Sequence, residues 1–151
     1  MGGWLFVVIF ILKNELCTAT IERFEDLEIW KLSRALSKKI YSLTFVQPIC
    51  DDFRLNDQLR GTCGSIMDNI TEGFERGSRL EFGNSSSIAK GEIGELKSQL
   101  YRSLDNDYIP LIIFEELYSL TDQLTKMIIS FIACLNRSTF KGQKFKNRRN
   151  A

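Results

Sequence analysis

Asp52 to Phe82 reads DFRLNDQLRGTCGSIMDNITEGFERGSRLEF. Leu55, Leu59, Cys63, Ile66, Ile70 and Phe74 recur every three or four residues, the spacing of one stripe on an α-helix that buries that stripe. Arg60, Ser65, Asn69 and Glu72 sit within and beside it, and each needs a hydrogen-bond partner wherever it is taken out of water. Gly73 and Gly77 then bracket a break. Ser78 is placed to cap the next helix, with Glu81 at the reciprocal capping-box position.

Three further helices follow outward from this one. Helix one is expected over 24–44, with Ile29, Leu32, Leu36, Ile40 and Leu43 inward; Lys31, Arg34, Lys38 and Lys39 lie on other faces. Glu22, Glu25, Asp26 and Glu28 crowd its start, which suits the helix dipole. Pro48 ends the segment and 45–51 forms the first loop. Helix two is expected over 53–73. Helix three is expected over 80–106, with Phe82, Ala89, Ile93, Leu96, Leu100 and Leu104 inward. Gly91 and Gly94 inside it each cost about 1 kcal/mol relative to Ala, so close approach of another helix is expected there. Helix four is expected over 110–137, with Ile113, Leu117, Leu120, Leu124, Met127, Phe131 and Cys134 inward. Ile112, Ile128, Ile129 and Ile132 widen that stripe and imply burial on two sides, against the bundle and against a partner subunit or the N-terminal segment. The short connections make neighbouring helices antiparallel, and the expected fold is an all-α, antiparallel, up-down four-helix bundle over 21–138.

The motifs Ser65-Ile66, Asn69-Ile70, Glu72-Gly73, Arg76-Gly77-Ser78 and Glu81-Phe82 together resemble the small bacterial four-helix bundle proteins first noticed as reading frames inside intervening sequences of 23S rRNA genes. Phe24-Glu25-Asp26-Leu27 with Trp30 resembles the start of that family, and Gly91, Glu95-Leu96 and Gln99-Leu100 resemble its third helix. The resemblance runs from about Ile21 to about Leu135. Met67-Asp68 stands where the family usually has Pro-Ser, Gly61 replaces a second basic residue, and Gly83-Asn84 replaces a stretch that often includes Arg. The chain is also similar to the accessory variability determinant of diversity-generating retroelements, a pentameric barrel with a positive channel that works with a reverse transcriptase. The resemblance therefore implies a homopentamer with RNA or DNA, a reverse transcriptase or another protein as partner.

At 151 residues and a net charge of +1, the chain is one domain long and shows no general basicity. Lys141, Lys144, Lys146, Arg148 and Arg149 form an acid-free tail over 139–151, leaving 15 basic against 19 acidic residues before it. The tail reads either as a solvated, disordered end or as a phosphate-binding arm. With no histidine and four cysteines lacking C-x-x-C spacing, zinc fingers, histidine-based triads and Glu-x-x-His di-iron sites are excluded. Cys63 and Cys134 read as small core residues, and the cysteine pattern implies a reducing cytoplasm.

Residues 1–20 contain the apolar run Trp4 to Leu12, too short for a bilayer span of about 20 residues. It reads as an extension from a mis-called start, an added packed helix or strand, or an export signal that lacks a basic leader. Asp68 and Glu72 stand i, i+4 and could share acid–base work or a hard cation. Neither has a nucleophile with a positioned base, and Glu72 is expected to pair with Arg60 or Arg76 or to cap helix three. The glycines of EGFERGS lack the G-K-[ST] ending of a phosphate loop.

The expectation is thus a non-enzymatic, nucleic-acid-associated homo-oligomer without cofactor or metal. Arg60, Arg76, Arg79 and the tail would contact phosphate, and Ser65, Asn69, Glu72, Gly73, Gly77 and Ser78 are the structural signature. The alternative is an oligomeric protein scaffold using an apolar face of helix four.

Overall fold

The computed structural model describes residues 6–12 and 15–138; the tail candidates Lys141, Lys144, Lys146, Arg148 and Arg149 lie outside them. Four helices form a bundle: α1 (Glu28–Leu43), α2 (Phe53–Glu75), α3 (Arg79–Asp105) and α4 (Leu111–Arg137). A short 3-10 turn, Phe24–Asp26, precedes α1, and the extended backbone of Leu27 separates the two. That residue explains why α1 begins four positions later than its apolar spacing implies. The side chain of Asp52 caps α2 by accepting from the Leu55 amide at 3.0 Å.

Contacts along the helices fix how they run. Phe82 stacks on Phe74 near the end of α2, Gln99 bonds Thr62, and Arg102 bonds Gln58, so numbers rise on α3 as they fall on α2. The same reversal relates α3 to α4 through Phe82 with Phe131, Lys97 with Asp122, and Tyr101 with Phe114. The core is one continuous cluster to which every helix contributes. Leu55, Leu59, Cys63, Ile66, Ile70 and Phe74 are all buried, as their spacing requires.

Two expectations of burial change. On α4 the buried series is Phe114, Leu117, Thr121, Leu124, Ile128, Phe131 and Leu135; Ile113, Leu120 and Met127 are half-buried at its flank. Thr121 disguised this series in the sequence; its hydroxyl is satisfied inside the helix by donating to the Tyr118 carbonyl. Ile112 and Ile129 are exposed, nearly five turns apart, and do not form a second continuous face. Among the described residues nothing lies within 4 Å of where a Cβ of Gly91 or Gly94 would stand, so no described helix approaches them.

Residues 6–12 and 15–21, for which an added strand was one of three readings, form an antiparallel hairpin. β1 (Phe6–Leu12) pairs with β2 (Glu15–Ile21) in the register Phe6 with Ile21 and Leu12 with Glu15. The β-branched content of both segments suits paired strands. β1 runs beside α4.

Candidate nucleic-acid interface

The signature residues build a corner. Gly73 does not end α2, which continues to Glu75; it lets α3 approach, for a Cβ there would stand 2.7 Å from Phe82 Cδ2 and 2.8 Å from Ser85 Cβ. Gly77 makes the break, with φ of 64°, a conformation that glycine adopts without strain. Ser78 caps α3 by accepting from the Glu81 amide at 3.5 Å. Ser65 and Asn69 are half-buried on α2, and Asn69 Nδ2 donates to the Ser65 carbonyl at 2.8 Å.

Two of the three candidate arginines belong to this corner. Arg76 bonds Glu72 through Nε and Nη2, and its Nη1 lies 3.5 Å from Glu81 Oε1. The hydrogen bond to Glu72, then its charge, raises the Arg76 pKa above its ordinary value. Arg79 Nη1 donates to the carbonyls of Leu135 at 2.7 Å and Asn136 at 3.3 Å, while its Nε is buried without a partner. A guanidinium at the last turn of α4 satisfies open carbonyls and opposes the negative end of the dipole. Arg79 thus ties the start of α3 to the end of α4, and Arg76, itself exposed, is engaged by Glu72 and Glu81.

Arg60 stands roughly 24 Å along α2 from Arg76, sixteen residues away. Its Nε donates to Thr44 Oγ1 at 2.8 Å. Its guanidinium carbon lies 4.7 Å from the ring centre of Tyr41 and 4.6 Å from that of Phe45. Beneath it Asn56 Nδ2 donates to the Thr44 carbonyl at 2.7 Å, fixing the end of α1 on α2. The buried contacts of Asn56 with Thr44 and of Gln99 with Thr62 were not singled out from sequence, because neither pair carries a spacing signal.

The positive surface missed by sequence reasoning is on α1. Between Ile29 and Cys50 there are four basic residues, Lys31, Arg34, Lys38 and Lys39, and no acid. Lys31 pairs with Glu28 and Lys39 with Glu116. Among the described residues Arg34 and Lys38 form no ion pair, and both are exposed. Their i, i+4 spacing with an acid-free run was the available signal.

Asp68 is exposed and Glu72 is held by Arg76, so the i, i+4 carboxylates do not form a joint site. Among the described residues no three Cys, Asp or Glu side chains stand close enough to share a metal ion. Cys50, Cys63 and Cys134 are free thiols, and burial pushes the Cys63 thiol up to about 12. No described helix is long and apolar enough to cross a membrane.

A protein of unknown function from the S23 ribosomal protein family of Bacteroides thetaiotaomicron, known from its crystal structure, has a similar fold. The TM-score is 0.65 at 24% identity, covering 70% of this chain and 95% of that one. No curated protein matches the chain. The family described as 23S rRNA-intervening sequence protein matches residues 25–130, seven-tenths of the length and all four helices in whole or in large part. The chain belongs to the 23S rRNA-intervening sequence protein family.

Proposed function

We propose that this bundle is a non-enzymatic, RNA-associated protein acting in the cytoplasm as a homo-oligomer, a pentamer by its resemblance to the retroelement accessory proteins. The observation that carries the reading is the uncompensated charge on α1: Arg34 and Lys38 are exposed, without ion pairs among the described residues, in a run with no acid from Ile29 to Cys50. Such charge attracts phosphate at long range and releases counterions on binding. The acid-free tail with Lys141, Lys144, Lys146, Arg148 and Arg149 adds to it. Arg76 and Arg79 have structural partners, which moves the proposed phosphate-binding surface from the α2–α3 corner to α1. Self-association is supported by α3, whose outer side presents Gly83, Ser87, Gly91, Gly94 and Ser98; the three glycines have open space where a Cβ would stand. Helices that carry small residues on one side can approach a second copy closely.

Light scattering during size-exclusion chromatography, with and without mixed RNA at low salt, tests this. An oligomer that co-elutes with RNA and releases it at high salt is the expected result; a monomer that ignores RNA contradicts it.

The second reading is a protein scaffold for the reverse transcriptase or another partner that the resemblance implies. It is favoured by the exposure of the neighbouring Leu111 and Ile112 at the start of α4. Deleting residues 139–151 separates the two: RNA binding weakens under the first reading, and partner binding is indifferent to it under the second.

A further inference from the structure

The α1 face that carries the free charge also carries rings. Trp30, Arg34, Lys38 and Tyr41 are spaced by four, four and three residues, which aligns them on one side of α1 over roughly 17 Å, and Phe45 follows four residues on, in the turn beyond Leu43. Arg34 lies over Trp30 at 5.7 Å, and Arg60 reaches across from α2 onto Tyr41 and Phe45. The two rings meet edge to face at 5.6 Å, yet Phe45 is 67% and Tyr41 47% exposed. Phe53, two turns before Arg60 on α2, is 79% exposed. On α2 the residues following Arg60 on its face, Gly64, Met67 and Thr71, are uncharged, and the exposed Asp57 stands one turn before it.

Tyr41 and Phe45, in contact and still exposed, form the kind of apolar surface that marks an interaction site. The covering group here must tolerate cations between the rings. A phosphodiester strand with unstacked bases does so, because phosphates meet Arg34 and Lys38 while bases lie on aromatic and guanidinium planes. Arg60 is held for this by its Nε bond to Thr44, and its Nη groups have no hydrogen-bond partner among the described residues. A duplex, with its bases stacked inside, offers no such planes.

We propose that Tyr41, Phe45 and Arg60 form a base-stacking platform for single-stranded RNA, with Arg34 and Lys38 tracking its backbone. The proposal rests on the reading of the protein as RNA-associated and names the surface and the strand state.

The test compares binding of a short fluorescent oligouridine with that of an abasic RNA of the same length and charge, using the full-length protein at low salt. The wild type is expected to prefer oligouridine by about ten-fold for each base that stacks. Tyr41→Ala/Phe45→Ala is expected to bind both ligands alike and to keep its helicity, since neither ring belongs to the buried core. Phe45→Leu, which keeps apolar bulk and removes the aromatic plane, is expected to lose part of the preference even if the double variant misfolds. Equal binding of the two ligands by the wild type, or a preference that survives in folded variants, overturns the platform and leaves the charge-based reading standing. Failure of the wild type to bind either ligand overturns both.

Discussion

Gly73 and Phe82 touch across the α2–α3 corner so closely that no side chain fits between them: the nearest ring carbon is 2.7 Å from where a Cβ would be. Phe82 is itself wedged between Phe74 and Phe131, with ring centres at 6.0 and 4.8 Å, so it has little freedom to retreat. Gly73→Ala therefore overpacks the core and is expected to cost about 1–3 kcal/mol despite its better helix propensity. Urea unfolding followed by circular dichroism measures it; a stabilised variant would contradict the packing.

The opposite sign is expected on the outer side of α3. Gly94→Ala meets nothing within 4 Å among the described residues and should add about 1 kcal/mol to the stability of the isolated subunit. A bulky residue at the neighbouring open position, Gly91→Gln, should lower the molar mass by light scattering if that side packs against another copy. An unchanged mass would place the subunit interface elsewhere.

Arg79 and Arg76 separate under substitution. Arg79→Ala removes a charged donor from the carbonyls of Leu135 and Asn136 at the end of α4 and is expected to cost about 1.5–3 kcal/mol. Arg76→Gln breaks exposed pairs with Glu72 and Glu81 and should change stability by less than about 1 kcal/mol. Neither change should reduce RNA affinity as much as neutralising Arg34 and Lys38. A larger stability loss for Arg76 than for Arg79 would reverse these assignments.

Cys63 makes the fold sensitive to alkali. Its thiol is raised by burial to about 12, above the ordinary value of 9.0. Above pH 9 the unfolded chain releases this proton while the folded chain retains it, so the unfolded state binds fewer protons and stability falls as pH rises. The contribution is about 1.4 kcal/mol per pH unit between 9 and about 12, and it is fully present below 9. Cys63→Ala should show a shallower decline over that window in denaturant midpoints. The same burial makes Cys63 unreactive towards iodoacetamide at pH 8 until the protein unfolds.

Helix number and the α2 core stripe were legible because six consecutive apolar positions there share one period. The Gly77 break and the Ser78 cap were legible because turn chemistry is local. Gly73 was not: a glycine that ends a helix and one that admits a neighbour look alike until Phe82 is in place. On helix four the other members of the buried stripe were read one position early because Leu117, Leu124 and Phe131 belong to both candidate stripes, and the polar Thr121 concealed the true one. Arg76 and Arg79 had the charge expected of phosphate ligands; the Glu72–Arg76 pair was legible from its i, i+4 spacing, whereas Glu81 of α3 and the α4 carbonyls reach these arginines only through the fold. The α1 face was readable as charge and missed as a surface, because Arg60 joins Tyr41 and Phe45 only through the fold.

The most direct measurement of the central claim is the salt dependence of single-stranded RNA binding by fluorescence anisotropy, for the wild type and for Arg34→Gln/Lys38→Gln. Affinity is expected to fall steeply with salt and the double variant to bind more weakly, with a log–log slope shallower by about 1.4, or about 0.7 for each phosphate that is no longer neutralised. Binding absent at low salt, or an identical slope in the two proteins, would contradict it.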